Sequence, residues 1–219
     1  SEYETARCRL DLYLPAGAKA FPTLVWFHGG GLTAGERDKK ETVGIARGLA
    51  SCGLAVASVG YRLSPKVEFP SYVRDAAASF AWVKAHIAGH GGDPDRVFIG
   101  GHSAGGYLAL MVALDPRYLR ECGLERSAIA GAIPISGQTM THYTVRKERG
   151  LGKYTITADQ AAPVYHAKKD TPPMLVLYAD RDMPARQAEN EYLVEILKAT
   201  GNKGVRGVLI RDRDHGSVA

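Results

Sequence analysis

The sequence RVFIGGHSAGGYLALMVAL, residues 96–114, places a G-x-S-x-G pattern between two apolar segments. Residues 96–99 have the composition of a buried strand, and residues 104–114 that of a buried helix. A sharp strand-to-helix turn of this kind lifts the hydroxyl of Ser103 to the edge of the sheet, where small neighbours relieve crowding. The stretch therefore predicts an α/β fold with Ser103 as a nucleophile. A glycine-rich turn with an incidental serine is the alternative.

Strand and helix patterns alternate along the rest of the chain, which predicts a mostly parallel sheet covered by helices. The predicted helices cover residues 41–52, 73–87, 104–114 and 184–200. The predicted strands cover residues 8–14, 23–27, 54–59, 96–99, 129–135, 174–178 and 205–210. Residues 138–169 interrupt this rhythm, being polar and irregular except near their end. That segment either lines a binding site or is a surface excursion.

A run of glycines follows the predicted strand at residues 23–27. Gly30 and Gly31 belong to the motif His28-Gly29-Gly30-Gly31, in which the backbone can pass close to a ligand and aim its N–H groups at it. Acyl transfer requires such donors for the oxyanion of its tetrahedral intermediate. We assign Gly30, Gly31 and Ala104 as those donors. A phosphate cradle is the alternative, although the run lacks the Lys-Ser/Thr ending of a P-loop.

Three blocks together resemble the esterase/lipase group of α/β hydrolases that includes the hormone-sensitive lipase-like and small bacterial carboxylesterases. They stand in that family's order: His28-Gly29-Gly30-Gly31, Tyr61-Arg62-Leu63-Ser64-Pro65 and Gly101-His102-Ser103-Ala104-Gly105-Gly106. The resemblance implies the α/β-hydrolase fold, a mostly parallel central sheet with helices on both faces. It also implies hydrolysis of carboxylic esters through a serine acyl-enzyme.

The family's catalytic residues follow the order nucleophile, acid, histidine. The acid position matches Asp182, in the loop after the predicted strand at residues 174–178, and Asp180 is the competitor two residues earlier. The histidine position matches His215, in the loop after the last predicted strand. The resemblance therefore implies the triad Ser103, Asp182 and His215.

Two departures from the family pattern bear on the substrate. His102 stands where the hormone-sensitive lipase subgroup usually has Asp, and no large cap precedes the first block. We therefore expect an open site that hydrolyses short-chain carboxylic esters. Carbohydrate (acetyl or feruloyl) esterases and arylformamidases of the same fold are alternatives, and a non-catalytic binding protein is a further one. We expect residues 1–219 to form one domain that lacks the family's final helix.

Composition limits the partners of this 219-residue chain. The formal net charge is +5, but acidic residues are interleaved with the basic ones, as at Arg211-Asp212-Arg213-Asp214. We therefore predict a small ester as the partner and no nucleic acid. No apolar run is long enough to span a membrane, and no metal motif or cofactor is implied. The three cysteines, Cys8, Cys52 and Cys122, are predicted to be buried free thiols, which favours a cytoplasmic location. One disulfide with one free thiol is the alternative.

Overall fold

The computed structural model describes all residues from Ser1 to Ala219. Seven strands form one sheet: β1 (Leu10–Tyr13), β2 (Phe21–Phe27), β3 (Ala55–Val59), β4 (Gly92–His102), β5 (Ala132–Ile135), β6 (Met174–Arg181) and β7 (Val205–Asp214). Seven α-helices accompany them: α1 (Glu2–Arg7), α2 (Lys40–Ser51), α3 (Ser71–His86), α4 (Ala104–Leu114), α5 (Pro116–Glu121), α6 (Tyr143–Glu148) and α7 (Arg186–Ala199).

The strand order across the sheet is β1-β3-β2-β4-β5-β6-β7. Only β1 runs antiparallel to its neighbour, and every other pair is parallel. All five residues of β3 are buried, as expected for a central strand covered on both faces. Because parallel strands end at the same edge, the loops after β2, β4, β5, β6 and β7 meet there.

Helices cover both faces of the sheet, as predicted. Alternate residues of β2 point to opposite faces. Val25 and Phe27 join the main core of 39 buried residues, which also holds apolar residues of α3, α4 and α7. Leu24 and Trp26 pack on the other face with Ala46 of α2. No large cap domain covers the carboxyl edge of the sheet.

Several element ends differ from the sequence predictions. α1 was not predicted, because six residues at a chain end carry too little apolar periodicity. α7 begins at Arg186 instead of residue 184, since Ala185 has a φ of 65°, outside the helical region. The 138–169 segment contains α6 and a 3₁₀ turn at Pro163–His166. His142 caps the N-terminus of α6, with its ring nitrogen accepting a hydrogen bond from the Thr144 N–H at 3.1 Å.

The prediction of buried cysteines was wrong. All three thiols are free, but Cys8 and Cys52 are exposed and Cys122 is half-buried. Cys8 lies just before the edge strand β1, and Cys52 just after the end of α2, so neither reaches the core. None of the helices combines the length and apolar character needed to cross a membrane.

Candidate active site

The turn between β4 and α4 holds Ser103 in a strained conformation. Ser103 has a φ of 57° and a ψ of −115°, and its N–H donates to the Ile135 carbonyl oxygen at 2.9 Å. The following helix passes very close to the end of β2, because a Cβ added at Gly105 would lie 1.9 Å from the Phe27 carbonyl oxygen. Only glycine fits there, which is the physical reason for the pattern around Ser103.

Three predicted side chains form a hydrogen-bonded chain at the carboxyl edge of the sheet. His215 Nε2 lies 2.8 Å from Ser103 Oγ, and His215 Nδ1 lies 2.6 Å from Asp182 Oδ1. The three residues directly follow β4, β6 and β7, strands that are far apart in sequence but end at the same edge of the sheet. A carboxylate, an imidazole and a hydroxyl in this order can transfer the hydroxyl proton to the imidazole.

Asp182 is nearly inaccessible, with its side chain 1% exposed. Burial alone would raise its pKa, but hydrogen bonds from His215, Ser136 Oγ and the Met183 N–H outweigh that effect. They hold the pKa of Asp182 at about 2, below its ordinary value of 3.8. The carboxylate therefore remains charged near neutral pH and can stabilise an imidazolium on His215.

The competing carboxylate lies elsewhere. Asp180 accepts hydrogen bonds from the backbone N–H groups of Asp212 and Arg213, at 3.0 and 3.2 Å. These contacts join the ends of β6 and β7. Asp180 therefore holds the strand that leads to His215, whereas Asp182 touches the imidazole itself.

The glycine-rich loop lies directly against Ser103. A Cβ added at Gly29 would be 3.5 Å from Ser103 Cβ. Gly30 and Gly31 have φ values of 118° and 63°, and neither N–H donates to a backbone oxygen. Ala104 is the first residue of α4, so its N–H has no partner within the helix. All three predicted oxyanion donors are thus free to bind a ligand oxygen.

The block at Tyr61-Arg62 holds this loop in place. The rings of His28 and Tyr61 stack with centroids 4.3 Å apart, and the Tyr61 hydroxyl donates to the His28 carbonyl oxygen at 2.7 Å. His28 Nδ1 lies 2.7 Å from the Gly29 carbonyl oxygen, and burial lowers its pKa to about 4. Arg62 in turn pairs with Asp75 of α3 at 2.6 Å. His28 is therefore a neutral brace near pH 7.

His102 packs beside the imidazole of His215, with ring centroids 4.8 Å apart. Burial, followed by the neighbouring charge of His215, lowers the pKa of His102 to about 4. His102 is therefore neutral near pH 7 and adds no positive charge next to His215.

The sequence did not reveal two further residues of the site. Ser136 follows β5 and donates to Asp182 Oδ2. The Tyr143 hydroxyl lies over Gly31, where an added Cβ would be 2.0 Å from it. The position of Ser136 just after a parallel strand was the available signal for it. Tyr143 gave no comparable signal, because it belongs to the irregular 138–169 segment.

No group of three or more His, Cys, Asp or Glu side chains is arranged to hold a metal ion. The hydroxyl, imidazole and carboxylate of the site stand beside free N–H donors at the carboxyl edge of a mostly parallel sheet. This combination defines the α/β-hydrolase class.

Comparison with known proteins gives the same class. The family model described as alpha/beta hydrolase fold matches residues 24–218, and the chain belongs to this family. A probable carboxylic ester hydrolase of Mycobacterium tuberculosis, LipM, is 34% identical over 82% of the chain and 45% of its own length. The esterase LipC of the same organism is 27% identical over 90% of the chain and 53% of its own length. The chain thus spans about half the length of these relatives.

Solved structures share the fold. A truncated form of a carbohydrate esterase from gut microbiota has a TM-score of 0.80 and 20% identity, covering 95% of the chain and 84% of that structure. Butyrate-bound esterase 2 from Thermogutta terrifontis has a TM-score of 0.76 and 24% identity, covering 94% of the chain and 79% of that structure. At this level of sequence identity, the similarity shows a shared fold and does not indicate the substrate of the chain.

Proposed function

We propose that the chain is a serine carboxylesterase that hydrolyses short-chain carboxylic esters through an acyl-enzyme on Ser103. The observation that carries the proposal is the hydrogen-bonded chain Ser103–His215–Asp182, with distances of 2.8 and 2.6 Å. The relatives named carboxylic ester hydrolase and esterase support the reaction type.

The reaction follows from the roles of the side chains. His215 Nε2 takes the proton of Ser103 Oγ as that oxygen attacks the ester carbonyl carbon. Asp182 stabilises the imidazolium, and the N–H groups of Gly30, Gly31 and Ala104 hold the oxyanion. The imidazolium then protonates the departing alkoxide, which leaves the acyl group on Ser103. Water, activated by His215, attacks this acyl-enzyme and releases the acid.

The short acyl preference rests on the open carboxyl edge of the sheet, which no large cap covers. A long chain gains from a deep apolar channel, whereas a short one needs only a small pocket. Esterase 2 of Thermogutta terrifontis has been solved with propionate and with butyrate bound.

Two other parts of the proposal concern partner and location. Surface arginines pair with carboxylates, as in Arg37–Asp11 and Arg74–Glu121, so part of the positive charge is neutralised locally. This supports a small ester over a nucleic acid as the partner.

The free thiols support a reducing, cytoplasmic location.

A series of p-nitrophenyl esters from acetate to dodecanoate tests the substrate class. We expect kcat/KM to be largest for acetate or butyrate and to fall at least about 10-fold by decanoate, because the longer chain finds no enclosed apolar surface. A maximum at octanoate or beyond would contradict the short-chain assignment. Absence of hydrolysis across the series, in protein shown to be folded, would contradict the esterase assignment.

Gly30→Ala tests the oxyanion loop. A Cβ at Gly30 would lie 2.1 Å from the Ala34 carbonyl oxygen, and its φ of 118° suits glycine alone, so the loop must move. We expect kcat for p-nitrophenyl butyrate to fall about 10²–10³-fold.

The matched control is Gly48→Ala in α2, where an added Cβ meets no atom within 4 Å. This control should leave kcat within about threefold of the parent value. Equal kcat values for the two variants would contradict the assignment of Gly30 as an oxyanion donor.

A further inference from the structure

A cavity of about 390 Å³ opens beside the triad, between the 138–169 segment and the start of α7. We call it the Arg146 pocket, after the lining arginine that forms no ion pair; the other lining arginine, Arg186, is paired with Glu189. Its wall includes Met183, which directly follows Asp182, and Tyr143, whose hydroxyl lies over Gly31 of the oxyanion loop. The pocket is therefore within reach of an ester held at Ser103.

Arg146 is a buried cation without a counter-ion. The residue is 6% exposed and forms no ion pair. Its Nη1 donates to the Thr155 carbonyl oxygen at 2.7 Å, whereas its Nε is buried with no hydrogen-bond partner. An unpaired buried charge is costly, and a bound anion removes that cost.

The charges that surround Arg146 compensate its positive charge only in part. Burial lowers the pKa of Arg146, the attraction of Glu189 raises it, and the repulsion of Arg186 lowers it further. Glu189 is already engaged, because one of its oxygens pairs with Arg186 at 2.8 Å and the other accepts from the N–H groups of Thr139 and Met140.

A second free cation stands at the mouth of the pocket. Lys153 is exposed, and its ammonium lies 5.7 and 5.4 Å from the ring centroids of Tyr143 and Tyr154. It forms no salt bridge. Three cations and one carboxylate, Glu189, therefore line the pocket, giving a net charge of +2. Apolar side chains such as Met140, Ile156 and Met183 complete the wall and suit the carbon part of a ligand.

We propose that the Arg146 pocket binds a carboxylate carried by the ester substrate, so that the enzyme prefers anionic esters to neutral ones. This inference rests on the proposed esterase function. A planar guanidinium with unused N–H donors matches a carboxylate, and the ammonium of Lys153 adds attraction from the solvent side. The carboxylate belongs to either the acyl or the alcohol part of the ester.

Paired substrates distinguish a carboxylate on the acyl part of the ester from a carboxylate on the alcohol part. On the acyl side, the p-nitrophenyl monoester of glutarate is compared with p-nitrophenyl pentanoate. On the alcohol side, 3-carboxyphenyl butyrate is compared with phenyl butyrate. We expect kcat/KM for the anionic member of one pair to exceed that of its neutral partner at least about 10-fold, the size of one charge-assisted hydrogen bond. High salt should reduce this ratio.

Variants locate the effect. Arg146→Gln should reduce the anionic-to-neutral ratio at least about 10-fold, and Arg146→Lys should retain part of it. Lys153→Glu changes an exposed residue and should reduce the ratio about threefold or more without a folding risk. Lys19→Met removes one charge from the loop before β2, at the opposite edge of the sheet, and should leave the ratio unchanged.

A binding measurement keeps this inference separate from the esterase assignment. Calorimetry on Ser103→Ala protein should give a Kd for monophenyl glutarate at least about 10-fold below that for phenyl pentanoate. Hydrolysis of neutral esters with no anionic preference in either pair would overturn the carboxylate pocket and leave the esterase function intact. Carboxylate-dependent binding with no hydrolysis of any ester would support the pocket and overturn the esterase function. Equal binding of both ligands would overturn the pocket.

Discussion

Ser103→Ala is expected to lower kcat for p-nitrophenyl butyrate at least about 10⁴-fold. The loss is large because alanine has no oxygen to attack the carbonyl carbon, and His215 then has no proton to accept from it. The oxyanion donors remain, so the variant keeps only the slow attack of water on a bound ester. Initial-rate kinetics with an active-site titre for the parent enzyme measure the difference.

The matched control for this variant is Ser51→Ala. Ser51 is exposed at the end of α2, and its hydroxyl donates to the Gly48 carbonyl oxygen at 2.7 Å. We expect its kcat to stay within about threefold of the parent value. If Ser103→Ala retained more than about a hundredth of the parent rate, hydrolysis would have to proceed without the acyl-enzyme.

Asp182→Asn is expected to lower kcat about 10³–10⁴-fold with little change in structure. The asparagine amide can accept a hydrogen bond with only one of its two ends. It therefore cannot serve His215, Ser136 and the Met183 N–H as the carboxylate does. The imidazolium also loses its negative neighbour, and His215 can adopt the wrong tautomer.

Asp180→Asn is the control at nearly the same place in the chain. An asparagine there keeps one oxygen for one of the two backbone N–H groups, those of Asp212 and Arg213, which donate to different oxygens of Asp180. Because Asp180 is exposed, water can bond the other N–H, so kcat should change less than about threefold. Thermal unfolding of both variants checks that each is folded. If Asp180→Asn were the inactive variant and Asp182→Asn the active one, the acid of the triad would have to be reassigned.

The sequence predicted the mostly parallel sheet and the turn at Ser103 because both depend on local patterns. An apolar strand, a glycine that tolerates a 1.9 Å approach to Phe27 and an apolar helix follow one another without interruption. The order of family motifs implied His215 as well. The resemblance implied the three residues as a triad, whereas the distances of 2.8 and 2.6 Å that join them are a property of the folded chain.

Other features could not be obtained from the sequence. The family pattern favoured Asp182 over Asp180, but the fact that its carboxylate contacts His215 is visible only in the folded chain. The role of Tyr143 and the unpaired charge of Arg146 depend on how residues 138–169 fold back over the sheet edge, a tertiary arrangement with no local periodicity. The burial of the cysteines was predicted wrongly because the neighbours of a cysteine in the sequence do not show whether it lies in the core or at the end of a helix or an edge strand.

Stoichiometric labelling with diethyl p-nitrophenyl phosphate tests the central claim, that Ser103 is the nucleophile, most directly. Attack of Ser103 Oγ on phosphorus expels p-nitrophenolate and leaves a diethylphosphoryl group on the serine. We predict one equivalent of p-nitrophenolate per active chain, loss of esterase activity in proportion, and an adduct mapped by mass spectrometry to Ser103. An adduct on another residue, or full esterase activity in protein phosphorylated at Ser103, would contradict the account.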